Sequence, residues 1–148
     1  MKKTILICAL VLVAGISSSF AENGAGINSA VKTAFQRDFA NAREVNWETR
    51  YAFVKVTFSI ENQVAYAYYT MDGDLMAVTR NILSNQLPVN RLVYLSKHFK
   101  DYWISDLFEM NSNGETSYYI TLENADNRMV LRSVGNGEWE LYKKESKP

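Results

Sequence analysis

The sequence predicts an α+β fold of two tandem units, each an amphipathic helix followed by a four-stranded antiparallel sheet. Three observations predict it. A stripe fit for burial recurs at helical spacing, first as Ile27, Val31, Ala34, Phe35 and Phe39, then as Val89, Leu92, Val93, Ser96 and Phe99. Short segments of alternating apolar and polar residues follow each stripe. Turn residues separate those segments: Glu61 with Asn62, Asp72 with Gly73, and Gly135, Asn136 and Gly137. The first unit runs from about residue 27 to 82 and the second from about 88 to 142, forming one continuous sheet.

The first helix is expected to be capped by Asn28 or Ser29 and to end near Ala40 or Asn41. Residues 43–49 place Val45 and Trp47 on one side. Residues 52–60 set Val54, Val56 and Phe58 against Phe53, Lys55 and Thr57. Residues 63–71 return as the third strand, and residues 75–80 make the fourth. Residues 81–87 join the units, and Pro88 suits the first turn of the second helix. Strands are then expected over 102–110, 116–123, 128–134 and 138–142, with a turn over 111–115 and a polar, frayed tail over 143–148.

The N-terminus reads as a cleaved secretory signal peptide, residues 1–21. Lys2 and Lys3 precede an apolar run from Thr4 to Ile16, and Ser19 and Ala21 are the small residues flanking Phe20 before a cut at Glu22. The run is short for a membrane span of about 20 residues. Cys8 leaves with this segment, so the remaining 127-residue chain (22–148) carries no thiol and no disulfide. That chain holds 14 basic (16 less Lys2 and Lys3) against 16 acidic residues, which offers no field for nucleic acid. A periplasmic or secreted location is expected, with no membrane span after cleavage. All three Trp, all nine Tyr and six of the seven Phe lie beyond residue 21, which favours strands and a large aromatic surface.

In the first unit Phe39, Ala40, Asn41 and Ala42 lead into Val45 and Trp47. Tyr51 follows with Val54, Val56 and Phe58, then Tyr69 through Asp72 and Gly73. This pattern resembles the PepSY-like family, also described as beta-lactamase-inhibitor-like proteins, which are small exported proteins common in Bacteroidetes. Leu87, Pro88, Tyr102 and Ile104 fit the same pattern, so the resemblance covers most of the chain beyond the leader. The family has Phe-Pro where this chain has Phe39 and Ala40. The resemblance implies two helix-plus-sheet units side by side, as one sheet of the kind found in the beta-lactamase inhibitory protein, with the helices on one face. The open face of that sheet is then a concave binding surface. The partner of the namesake is not inherited with the fold.

Residues able to do chemistry are sparse. His98 is the only histidine, and without cysteine it lacks companions for a zinc site. No Gly-x-Ser-x-Gly elbow and no glycine-rich phosphate loop is present. Asp72, Gly73 and Asp74 look like part of a calcium loop but lack its remaining ligands, so a hairpin turn explains them. No catalysis, cofactor or metal is therefore expected.

The better candidate is a face. A turn at Glu61 and Asn62 sets Thr57 opposite Tyr66 and Lys55 opposite Tyr68, with Phe53 nearby, all pointing away from the helices. A turn at Ala125 and Asp126 sets Tyr119 opposite Arg132 on the same side. Plain cross-strand stabilisation would explain these pairs. A binding surface would use them too, because tyrosine and arginine give rigid contact area and directed hydrogen bonds. The chain is thus expected to be an exported non-catalytic binding protein. It would engage a protein, peptide or envelope component through Phe53, Lys55, Tyr66, Tyr68, Tyr119 and Arg132, with inhibition of a periplasmic hydrolase as a narrower form. The alternative is a small-ligand carrier with a pocket between helices and sheet lined by Trp47, Trp103 and Phe108.

Overall fold

The computed structural model describes residues 26–147. The expected signal peptide lies outside them. Helix α1 (Ser29–Asp38) begins where the Asn28 side chain accepts the Ala30 N–H at 3.0 Å. It ends at Phe39, whose N–H still reaches the Phe35 carbonyl at 2.8 Å. Strands β1 (Arg43–Thr49), β2 (Val54–Ile60), β3 (Gln63–Tyr69) and β4 (Leu75–Asn81) follow. A 3-10 turn (Ser84–Gln86) leads to helix α2 (Val89–His98), then β5 (Trp103–Ser112), β6 (Glu115–Glu123), β7 (Asn127–Val134) and β8 (Glu140–Ser146). The strands form one eight-stranded sheet in sequence order, every neighbouring pair antiparallel.

The helices cover one face only. Under α1, Val31, Ala34 and Phe35 meet Trp47, Val54, Val56, Phe58, Ala67 and Tyr69. The Tyr69 hydroxyl, enclosed there, donates to Asp38 at 3.1 Å. Burial, reinforced by that carboxylate, raises its pKa above the ordinary phenol range. Under α2, Leu95 meets Leu107, Ile120, Leu122, Met129, Leu131 and Trp139.

The structure departs from the sequence expectations in three respects. The first is the fold class. Strands take 51% of the described residues and helix 19%, so an α+β class of two tandem helix-plus-sheet units gives way to one mostly-β sheet carrying two short helices. β4 pairs directly with β5, so the sheet has no internal boundary. The shared order of elements does not establish a repeat, and the helices bury different chemistry: Val31, Ala34 and Phe35 in α1, Arg91 and Leu95 in α2.

The second is the rotation of α2. Of the stripe expected inside, Val89, Leu92, Val93 and Ser96 are exposed, and only Phe99 is partly buried. Arg91 is 4% exposed instead. The turn between β7 and β8 explains this, because it lies under the helix with backbone oxygens that need donors. The Arg91 guanidinium donates to the carbonyls of Gly135 and Gly137 and to the Ser133 hydroxyl. A guanidinium offers five N–H donors, and no apolar residue offers any.

The third is the tail. Residues 143–146 continue β8 against β7, because Lys147 closes the end by donating to the Asn124 carbonyl at 2.9 Å.

Gly73 shows how tightly the β3–β4 turn meets α1. Its φ is +95°, and an added Cβ would lie 2.9 Å from the Ala30 carbonyl oxygen. Both the conformation and the backbone contact disfavour any side chain. Gly73→Ala is expected to lower stability by about 1–3 kcal/mol. Denaturant unfolding checks this, and an unchanged midpoint would contradict the close approach.

Candidate binding face

Strand period decides which side chains the helices leave uncovered. In β2 and β3 the helix face takes Val54, Val56, Phe58, Ala65, Ala67 and Tyr69. Lys55, Thr57, Tyr66 and Tyr68 therefore point to the other side. The register is the expected one: Lys55 opposite Tyr68, Thr57 opposite Tyr66 and Tyr119 opposite Arg132. Positive φ at Glu61 (50°) and Asn62 (63°) makes the two-residue turn that holds the first two pairs in register.

Each candidate residue has a definite partner. The Lys55 ammonium sits 4.7 Å from the Tyr66 ring centroid and 3.6 Å from the Glu48 carboxylate. Phe53 tilts against Tyr68 at 5.8 Å. The Arg132 guanidinium lies 5.8 Å from the Tyr119 ring. Tyr119 stacks on Phe108 at 4.9 Å with rings 7° apart, and Tyr142 meets it edge-on at 5.6 Å.

These residues form two groups on one face, divided by β4. Toward this face β4 presents the small residues Ala77 and Thr79, opposite Tyr68 and Tyr66. A trough of about 230 Å³ results. Lys55, Tyr66 and Tyr68 wall one side, Asp106 and Phe108 the other, with Thr79 and Asn81 also lining it. Asn81 donates to Asp106 at 3.1 Å across its end.

The sequence marks Asp106 only as one of several surface carboxylates that could serve in an acid-base pair; it does not place Asp106 or Asn81 on the open face, and it misplaces Phe108. The expected carrier pocket does not form: Trp47 is buried against Phe35 at 5.2 Å, Trp103 is half-exposed beneath Lys147, and Phe108 is on the opposite face from the helices, against Tyr119. Space between helix and sheet is filled by the rings of Phe35, Phe39 and Phe58. The missed signal was the tight turn at Asn113 and Gly114, with φ of 53° and 77°. Read as two residues rather than five, it sets Phe108 opposite Tyr119.

A larger cavity, about 590 Å³, lies on the helix side beside Pro88, Asn90, Arg91, Glu109 and Glu115. Its cation is committed to the β7–β8 turn, and Glu109 is held by Arg80 at 3.0 Å. It carries less free contact chemistry than the trough. His98 stacks on Tyr94 at 4.1 Å and stays exposed. Among the described residues, no three His, Cys, Asp or Glu side chains converge to hold a metal ion.

One edge of the face is clasped by charge. Glu123 accepts from Lys147 at 2.8 Å and lies 3.6 Å from Arg128. The Lys147 hydrogen bond, then that of Ser105, holds the Glu123 carboxyl below its ordinary range. A depressed carboxylate stabilises the fold above its unfolded pKa, and that contribution is lost as pH falls through the folded value. The end of β8 is therefore expected to keep its amide protection from pH 7 to about 4 and to lose it below. Loosening already between pH 7 and 6, read by amide exchange at Ser146 and Lys147, would contradict the clasp.

The eight-stranded sheet with both helices on one face matches a BLIP-like fold. Among solved structures, the chain is similar to a BLIP-like protein from Bacteroides fragilis (TM-score 0.69, 15% identity, covering 80% of this chain and 85% of that one). It is equally similar to a DUF2874 family protein from Bacteroides ovatus (TM-score 0.69, 12% identity, 80% and 86% covered). A protein from Bacteroides eggerthii described as a candidate periplasmic protein also matches (TM-score 0.69, 11% identity, 80% and 88% covered). At these identities the likeness is one of fold. By sequence, no family model and no curated protein matches the chain. No helix among the described residues is long and apolar enough to cross a membrane.

Proposed function

We propose that the protein is an exported, non-catalytic binding protein of the PepSY-like kind, working in the periplasm or outside the cell. It engages a protein, peptide or envelope component through the open sheet face. The observation that carries this reading is the trough over β4, walled by Lys55, Tyr66, Tyr68 and Phe108 on a face that neither helix covers. A concave surface with aromatic walls and few, directed polar groups is the usual form of a binding site. Inhibition of a periplasmic hydrolase is the narrower version, suggested by the likeness to BLIP-like proteins.

The test is retention of a partner from envelope extract on the immobilised protein, compared with the Tyr68→Ala/Arg132→Ala double variant. Two lost contact residues are expected to weaken a face-bound partner at least about tenfold. A partner retained equally by both proteins would contradict the reading, as would a co-purifying small molecule with an unchanged set of partners.

A further inference from the structure

We propose that the partner presents an acidic side chain to Arg132, four residues along an extended segment from an apolar side chain seated in the trough. This deepens the open-face reading and rests on it. Lys55, Arg80 and Arg128 each have a carboxylate within ion-pair distance, supplied by Glu48, Glu109 and Glu123. Arg132 has none among the described residues. Glu140 is its register partner on β8, yet the two form no ion pair. The Arg132 Nε is enclosed without an acceptor, beside the ring of Tyr119. A partly enclosed guanidinium without a counter-ion carries a desolvation cost that an incoming carboxylate offsets. Aromatic surroundings strengthen that pairing, and a guanidinium holds a carboxylate through two parallel hydrogen bonds.

The trough itself holds no free cation for an acid: Lys55 on one wall is paired with Glu48, and Asp106 on the other wall adds negative charge. Tyr66, Tyr68 and Phe108 instead offer contact area to an apolar side chain. From β4 to β7 is three strand spacings, about 14 Å. An extended segment crossing the strands covers that distance in about four residues at roughly 3.3 Å each. An even number returns both side chains to the same side, so apolar-x-x-x-acidic is the matching pattern.

The experiment is an NMR titration of the ¹⁵N-labelled full-length protein with three capped heptapeptides, Ser-Leu-Ser-Thr-Ser-Glu-Ser and its forms with glutamine or lysine in place of glutamate. The glutamate peptide is expected to shift the amides of Phe108, Tyr119 and Arg132. It should bind about tenfold more tightly than the glutamine form, the worth of one charge-assisted contact. Arg132→Gln should abolish that preference while its spectrum stays that of a folded protein. Equal binding of the glutamate and glutamine peptides on the open face overturns the acidic anchor but leaves the face standing. Shifts confined to α1 and α2 overturn the face as well. No binding of any peptide at millimolar concentration also overturns the proposal.

Discussion

Replacing Phe35 by alanine is expected to cost about 3–5 kcal/mol of stability. Phe35 is 0% exposed. Among the described residues its ring meets those of Phe39 at 5.4 Å, Trp47 at 5.2 Å, Phe58 at 5.1 Å and Tyr69 at 6.4 Å. These come from three strands and the helix itself, so no single neighbour can move to fill the void without losing its own contacts. A domain of this size is stable by only about 5–15 kcal/mol, so the loss takes roughly a fifth or more of the total. The midpoint of urea unfolding checks this, with Phe53→Ala on the open face as comparison, expected to lose about 1 kcal/mol or less. A loss near 1 kcal/mol for Phe35→Ala would mean that α1 does not anchor this half of the sheet.

Arg91→Ala is expected to cost at least about 3 kcal/mol, for a different reason. The guanidinium serves the Gly135 and Gly137 carbonyls and the Ser133 hydroxyl, and it lies 5.0 Å from the Tyr118 ring. Removing it leaves acceptors facing a void in the second core. Trp139, 8% exposed, donates its indole N–H to the Arg91 backbone carbonyl at 3.3 Å, an acceptor the alanine variant keeps, so its fluorescence reports whether the helix shifts once the guanidinium is gone. Unfolding followed by tryptophan fluorescence reads both effects. Arg91→Met restores bulk without donors and should recover only part of the loss. Full recovery with methionine would show that packing, not hydrogen bonding, is what Arg91 supplies.

These two residues also mark how far the sequence could be read. Phe35 belongs to a local pattern, helical spacing behind an Asn28 cap, and its burial is legible from that pattern alone. The hairpin pairs are legible for a similar reason. Two-residue turns and a period of two leave one register in which Lys55 meets Tyr68 and Tyr119 meets Arg132. Arg91 was not legible. Leu92 and Val93 are the better core formers, and only a turn more than 40 residues away, with carbonyls aimed at the helix, reverses the choice. The trough was hidden likewise, because it depends on β4 meeting β5 across the 3-10 turn and α2. The α+β expectation weighed two strong helical stripes as heavily as eight short strands, and the short helices make up the smaller part.

The proposed function puts the partner on the face away from the helices. Hydroxyl-radical footprinting tests it most directly, with and without the envelope fraction that the immobilised protein retains. Tyr68, Tyr119 and Tyr142 are predicted to lose reactivity together. Tyr51, fully exposed in the loop between β1 and β2, and Tyr94 on α2 should keep theirs. Protection of Tyr94 with Tyr68, Tyr119 and Tyr142 unchanged would place the partner on the helix side and contradict the account.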